Sequence, residues 1–262
     1  MHSFKNKLKR MIGDDTIYIA KDIINRVSPS KVYLADLEDK KIKKIFYSKY
    51  VKNGDTFFDV GANVGNRIAP LLELGARVVA FEPQRSCRKI LKWRFGNKMI
   101  LVPKALGEND GNKELHISNF SGISSISTEW IDSVKNTRFK NYEWATAETV
   151  STTTLDHAIS TYGTPKFIKI DVEGYELEVL KGLNQPIDMI SFEYTTPEQT
   201  VKAVACIDRL AVINRNVRFN YSVGESMEFL LRDWIGKDEM LQLVNSPKFI
   251  QTGFGDIYAR NS

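Results

Sequence analysis

Cysteine is nearly missing from this chain. Its 262 residues hold two, Cys87 and Cys206, far apart and without a second Cys or a His at metal spacing. Neither a disulfide framework nor a zinc site is indicated, and a reducing, cytoplasmic setting suits such usage. Long apolar runs are missing as well. No stretch reaches the ~18 to 20 uninterrupted apolar residues of a membrane span, and the N-terminus has no apolar region followed by a small-residue cleavage site, so the chain reads as soluble and unexported. No charge sign dominates strongly: 37 Lys and Arg face 32 Asp and Glu, for a net charge of +5. That excess permits a polyanionic partner without requiring one. At 42% hydrophobic residues, the length supports one large core with attachments.

The basic residues gather at Lys5, Lys7, Lys9 and Arg10 and again at Lys40, Lys41, Lys43 and Lys44. Phe4, Leu8, Met11 and Ile12 fall on one helical face beside Lys5, Lys9 and Arg10. This is the pattern of an amphipathic helix packed on its own domain, and it also offers a weak peripheral contact for an anionic membrane. Apolar positions at helical spacing continue through Ile17, Ala20 and Ile24, then Ile42, Ile45 and Phe46, with turn residues at Gly13-Asp14 and Ser28-Pro29-Ser30. Residues 1–53 are therefore expected to form an N-terminal helical extension.

From Asn53-Gly54-Asp55 onward the pattern changes to short β-rich runs alternating with helical segments, which marks a mostly parallel, doubly wound sheet of α/β class. Strands are predicted over Thr56–Val60, Arg77–Phe81, Met99–Pro103, Lys166–Ile170 and Asp188–Phe192. Helices are predicted over Asn66–Leu74, Arg85–Phe95, Tyr175–Leu183 and Pro197–Ile213. Two later strands, Val217–Ser222 and Asp256–Ala259, flank a helix at Asp238–Val244 and bring the sheet to about seven strands. The rhythm breaks between Gly107 and Thr153, where Glu114-Leu115-His116-Ile117 alternates and Ser121 to Ser127 is serine-rich. This interval, 107–153, reads as a hairpin and loop inserted beside the binding face.

Three strand ends carry chemistry. Phe57-Phe-Asp-Val-Gly-Ala-Asn-Val-Gly65 is an apolar strand that ends in an acid and a glycine loop opening a helix. Gly61 permits a tight turn and close backbone approach to a ligand. The dinucleotide spacing Gly-x-Gly-x-x-Gly is absent, because the corresponding positions are Gly61, Asn63 and Asn66, and no P-loop follows this strand. Glu82 closes the next apolar run, about 20 residues after Gly61, where a carboxylate can accept from the two hydroxyls of a ribose; an adenosine-containing ligand is implied. Finally, Phe167-Ile-Lys-Ile-Asp-Val-Glu-Gly174 delivers Asp171 and Glu173 to a third strand end, with Lys169 alternating as an ion-pair partner for Asp171.

Taken in order, Asp59-Val-Gly-Ala-Asn-Val-Gly65, Phe81-Glu-Pro83, Thr154-Leu-Asp156, Ile168-Lys-Ile-Asp-Val-Glu-Gly174 with Glu176, and Glu193 resemble the FkbM family of methyltransferases. The resemblance covers roughly Gly54 to Tyr194. It implies a class I, Rossmann-like methyltransferase fold over residues 54–262 and S-adenosylmethionine as cofactor. It also implies transfer to a hydroxyl of a sugar, polysaccharide or natural product. By position, Asp59, Gly61, Asn63 and Gly65 would surround the methionine part of the cofactor, Glu82 would hold the ribose, and Ala105 and Leu106 would flank the adenine. Ser124 and Ser125 match a serine pair of the family's insert, on the substrate side. Where the family often carries a Thr a few residues after Gly65, this chain reads Asn66-Arg67-Ile68-Ala69, and Arg67 could bring a favourable charge to the methionine carboxylate.

A hydroxyl acceptor must lose its proton as it is methylated, so a positioned base or a metal is required. Asp171 is the first candidate base and Glu173 and Glu193 are the alternatives. The acid trio could equally bind a divalent cation through its oxygens, but no further Asp or His at clear spacing completes a ligand set, so no metal is assigned. None of His2, His116 and His157 stands at a predicted strand end, and His157 falls at a helix start where capping or surface roles prevail. Phe139, Tyr142, Trp130 and Trp144 could pack together or stack on a sugar face. The acceptor is thus expected to be a hydroxyl-bearing glycan or small molecule. A nucleic-acid methyltransferase is the alternative raised by the basic clusters, but no Asn/Asp-Pro-Pro-aromatic tetrapeptide is present. A non-catalytic cofactor-binding module would leave Asp59, Glu82, Asp171 and Glu193 as unused buried acids, which is costly. The glycine spacing weighs against a nicotinamide oxidoreductase.

Overall fold

The computed structural model describes residues 14–261 apart from Pro29. The stripe of Phe4, Leu8, Met11 and Ile12 with its basic neighbours, and His2, lie outside the described residues. Two helices come first, α1 (Asp14–Val27) and α2 (Lys31–Ser48), and the Ser30 side chain accepts the Tyr33 N–H to cap the second. There follow β1 (Thr56–Val60), α3 (Ile68–Glu73), β2 (Arg77–Phe81), α4 (Arg85–Phe95) and β3 (Ile100–Val102). The next stretch holds β4 (Ala105–Leu106), β5 (Gly111–Ile117), α5 (Thr128–Val134) and β6 (Thr146–Thr153). The chain then continues through α6 (Leu155–Tyr162), β7 (Phe167–Ile170), α7 (Glu176–Lys181), β8 (Met189–Thr195), α8 (Thr200–Ile213) and β9 (Arg218–Val223). It closes with α9 (Lys237–Val244), α10 (Pro247–Ile250) and β10 (Phe254–Arg260).

Seven strands form one sheet in the order β3-β2-β1-β7-β8-β10-β9, with β10 antiparallel to both its neighbours and the rest parallel. This is the class I methyltransferase arrangement. Strands β1 and β7 are buried along both faces, as parallel central strands covered by helices must be. Phe58, Val60, Ile168 and Ile170 point to one face, where they meet α6, α7 and α8. Phe57 and Phe167 point to the other, into a core with Phe46 and Tyr47 of α2, Ile68 and Leu71 of α3, and Leu91 of α4. Side chains two apart share a face. Asp59, Lys169 and Ser191 therefore follow Phe57, Phe167 and Met189 on the α2 and α3 side, and Asp256 joins them through Tyr258 of β10.

Predicted strand positions match the observed ones closely, and Arg85–Phe95 is observed as predicted. Helix α5 is a departure. The serine-rich stretch runs directly into it, the Ser127 side chain accepts the Trp130 N–H as an N-cap, and Trp130, Ile131 and Val134 bury one face. Ala105 and Leu106 pair in parallel with β6, which in turn pairs antiparallel with β5 to make a second, three-stranded sheet. In the N-terminal helices Phe46 is buried, whereas Ile24, Ile42 and Ile45 of the same predicted apolar series are exposed. Among the described residues no helix is long and apolar enough to cross a membrane.

Candidate active site

The chain runs β1, β2, β3 in one direction and then returns to place β7 on the other side of β1, so the carboxyl ends of β1 and β7 open a crevice at the reversal. A cavity of about 580 Å³ lies there. Gly61 turns its floor at φ +82°, and a Cβ at that position would stand 1.8 Å from the Asp171 carbonyl oxygen, so no other residue fits. Asn63, also left-handed at φ +47°, accepts from the Ser121 hydroxyl at 3.3 Å and ties this loop to the insert.

Glu82 follows β2 and is buried. One carboxylate oxygen accepts the Asn63 N–H and the other the Gln84 N–H, each at 2.7 Å, which leaves further lone pairs on both for a ligand. Burial pushes Glu82 up to about 7, against the pull of those two amides. Asp59 lies deeper and is raised to about 6 by burial, opposed chiefly by Arg67. Ala105 and Leu106 line an apolar wall with Leu115, Ile126 and Ile90. Gly65 faces away from the cavity, against Leu91 and Phe95 of α4.

Asp171, Glu173 and Glu193 present carboxylate oxygens within 4.8 Å of one another at the ends of β7 and β8. Three such hard oxygen donors could hold a divalent cation, and they are the trio to which the adjoining strand ends in the sequence point. Their partners differ. Arg67 stands 3.2 Å from Asp171 and 3.2 Å from Glu225, and Lys169 stands 3.6 Å from Asp171 while bonding Asp256 more closely. Lys43 of α2 reaches Glu225 at 3.2 Å and Asp39 at 2.6 Å. The expected Lys169–Asp171 pair thus exists inside a longer alternating chain of charge. Glu173 and Glu193 have no side-chain hydrogen bond or ion pair among the described residues. Burial, and then the neighbouring charge of Asp171, holds both carboxyls well above the ordinary range.

Glu173 is left-handed, at φ +54°. The insert and α8 hold it there: the Ser125 hydroxyl donates to the Glu173 carbonyl at 2.6 Å, and the Lys202 ammonium donates to the Gly174 carbonyl at 3.0 Å. The ring of Trp130 lies so near Gly174 that a Cβ there would approach it to 2.4 Å. Ser125 is accordingly buried behind the cavity wall, whereas Ser124 lines the cavity and accepts the Ser118 N–H at 3.1 Å. His157 sits exposed at the start of α6, beside Asp110 at 3.5 Å. Several functional-looking residues were outside the motifs. Asp256 could have been found by pairing, since it registers against Glu193; Glu225, and Ile17, Tyr18 and Lys21 of α1, all of which line the cavity, carried no such signal.

A sequence model described as the Methyltransferase FkbM domain matches residues 59–232, the span that builds every strand end around this cavity. The chain belongs to the FkbM methyltransferase family. Among curated proteins it is similar to the hexuronic acid methyltransferase AglP of Haloferax volcanii, at 28% identity over 145 residues, 53% of this chain and 54% of that one. The chain therefore spans about half the length of that relative. Among solved structures it is similar to the precorrin-6y C5,15-methyltransferase of Geobacter metallireducens, with 10% identity, 85% and 88% of the two chains covered and a TM-score of 0.45. A TehB-like methyltransferase of Corynebacterium glutamicum gives 7% identity, 95% and 98% coverage and a TM-score of 0.45. The cavity fits the S-adenosylmethionine that the family resemblance implies: a buried carboxylate with free lone pairs stands at the β2 end, an apolar wall lines it, and the acid-rich lining suits a cationic sulfur.

Proposed function

We propose that this chain is an S-adenosylmethionine-dependent methyltransferase acting on a hydroxyl oxygen of a sugar or similar polyhydroxylated acceptor, with the Glu173–Glu193 carboxyl pair taking the hydroxyl proton. When bound, S-adenosylmethionine supplies an electrophilic methyl carbon on a positively charged sulfur. Glu82 would accept from the two ribose hydroxyls. Ala105 and Leu106 would lie against the adenine, and Asp59, Gly61 and Asn63 would surround the methionine part, with Gly65 holding the loop against α4. Alignment of acceptor oxygen, methyl carbon and sulfur within this walled cavity supplies much of the rate.

The observation that carries the choice of base is the unequal pairing of the three acids. Asp171 is already engaged by Arg67 at 3.2 Å and Lys169 at 3.6 Å, so its carboxylate has cationic partners within the protein. Glu173 and Glu193 lack such partners and crowd each other, so the pair gains by keeping one proton and titrates as a unit. An acceptor O–H donating to the ionised member would give its proton to that carboxylate as the oxygen bonds to the methyl carbon and the methyl–sulfur bond breaks, the departing sulfur keeping the electron pair as a neutral thioether. Asp171 is left as an orienting anion. The hexuronic acid methyltransferase among the relatives supports a sugar acceptor.

Incubation with methyl-labelled S-adenosylmethionine and a panel of monosaccharides, glycans and polyhydroxylated natural products tests this reading. Label is expected in a base-stable ether on a carbohydrate. Transfer only to nucleic acid, or to nitrogen, would refute it.

A further inference from the structure

The cavity has two walls that the transfer chemistry does not use. One is α1, which stands outside the span shared with the family yet places Ile17, Tyr18 and Lys21 on the cavity surface. It is fastened across the glycine loop and α4 by Asp15 to Lys89 at 3.0 Å and by Tyr18, whose hydroxyl accepts from Arg94 at 3.2 Å. The Arg94 guanidinium in turn donates to the Val64 carbonyl. The other wall is the insert, where Asn119, Phe120 and Ser121 line the cavity.

The insert's wall is aromatic in an unusual way. Its rings form a continuous ladder from buried Trp130 through Phe139 and Tyr142 to Phe120, with centroids 5.8, 5.9 and 5.8 Å apart. The inner rungs are structural, but Phe120 remains 52% exposed and Tyr142 40% exposed. The Phe120 ring packs closely on its own turn because residue 122 is Gly, where a Cβ would come within 2.9 Å of the ring. An apolar ring supported from beneath and open above, at the edge of an acid-rich pocket, is suited to cover the C–H face of a pyranose.

The charge on the α1 wall is equally specific. Two cations line the cavity, Arg67 and Lys21. Arg67 is occupied by Asp171 and Glu225. Lys21 has no carboxylate partner among the described residues, although six acids line the same cavity. An ammonium left free at a mostly acidic site is matched to an anion that the ligand brings.

Resting on the carbohydrate reading above, we propose that α1 and the insert form an acceptor subsite for an acidic sugar, a pyranose carrying a carboxylate. The ring lies over Phe120 and Tyr142, and its carboxylate meets Lys21. That placement keeps the sugar's own charge on the Lys21 wall, away from Glu173 and Glu193, while a ring hydroxyl turns to them.

The test uses the full chain saturated with S-adenosylhomocysteine, so that no transfer occurs. Methyl glycosides of glucuronic, galacturonic and mannuronic acid, each with its neutral hexose counterpart, are titrated by saturation-transfer NMR and calorimetry. At least one uronide is expected to bind about tenfold more tightly than its neutral partner. Lys21→Ala should abolish that preference, and Phe120→Ala should weaken both members of the pair. Because both side chains are exposed, these variants are expected to fold, and their S-adenosylhomocysteine affinity serves as the control. Equal binding within every pair, no binding by any uronide, or a preference that survives Lys21→Ala overturns the subsite. Loss of S-adenosylhomocysteine affinity in Lys21→Ala with the uronide preference intact would assign Lys21 to the cofactor and also overturn it. Failure of the folded wild type to bind S-adenosylhomocysteine would instead strike the methyltransferase reading itself.

Discussion

Arg67 holds Asp171 and Glu225 at once, 3.2 Å from each, and so joins the glycine loop to the end of β7 and to the turn after β9. The arginine side chain is only 12% exposed, against 48% for Glu225. Its Nε is buried without a partner, so the two carboxylates are the direct ion-pair partners that offset its lost water.

Removal of the two ends of this bridge should therefore differ in cost. Arg67→Met leaves Asp171, Glu225 and buried Asp59 without their main counter-charge and is expected to destabilise the fold by roughly 3 kcal/mol. Glu225→Gln, at a half-exposed position with Asp171 still in place, should cost about 1 kcal/mol or less. Urea denaturation of both variants measures the pair, and equal losses would show that burial does not set the cost.

The pH response of the ligand-free protein should be governed by its buried acids. Glu82 and Glu176 are raised to about 7 and Asp59 to about 6, in each case chiefly by burial. Each carboxyl keeps its proton in the folded state to a higher pH than in the unfolded one. The stability it contributes is present below the unfolded value near 4 and is lost as pH rises toward 7. Glu225, lowered to about 2 chiefly by Arg67, contributes stability that is lost only as pH falls from its ordinary value of 4.5 toward 2, below this window. The melting temperature is expected to fall between about pH 5 and about pH 7.5, and Glu82→Gln should flatten that slope. A rising profile would contradict the assigned directions.

Cofactor affinity should move the opposite way. Ribose hydroxyls donate best to an ionised Glu82, so S-adenosylhomocysteine is expected to bind more tightly as pH rises through about 7. Glu82→Gln should bind it on the order of tenfold more weakly and without that pH dependence. Calorimetry at several pH values checks both parts; a wild-type affinity independent of pH would remove the ionised carboxylate from the contact.

Once an acceptor is in hand, Glu193→Gln and Glu173→Gln are each expected to lower kcat by on the order of 100-fold or more while leaving S-adenosylhomocysteine affinity nearly unchanged. The decisive comparison is with Asp171→Asn. A larger kcat loss there than in both glutamine variants would return the role of base to Asp171.

Glu173 also stores strain. Its left-handed backbone is one that Asn adopts at lower cost, and Asn removes a carboxyl that burial disfavours in its ionised form. Glu173→Asn is expected to stabilise the fold by about 1 kcal/mol and to abolish transfer. A variant that is both less stable and fully active would leave the backbone geometry without a functional account.

Much of this molecule was legible in local patterns. The apolar runs at Thr56–Val60 and Arg77–Phe81 appear as strands with the predicted ends, because a segment buried on both faces must be apolar throughout and is closed by its turn residues. Asp59, Gly61, Asn63 and Glu82 were visible because a tight turn at a strand end has few chemical solutions. Ser125 was also singled out, but its placement behind the wall, bonded to the Glu173 carbonyl, depends on how the insert folds over α8. Helix α5 escaped notice because its N-cap serine sits at the end of a run of serines that resembles a loop.

Local order, then, is inscribed in the chain: alternation sets which side chains share a face of β1, β7 and β8, and turn chemistry sets where each strand stops. The competence of the acids is settled elsewhere. Glu193 joins Asp171 and Glu173 only when β8 is laid beside β7, and Lys21 reaches the cavity only when α1 is docked against α4. Glu225 stands 158 positions from the arginine it neutralises. Whether a carboxyl is paired or left to hold a proton depends on which distant charges packing brings within a few ångströms, and periodicity within a segment carries no record of such neighbours.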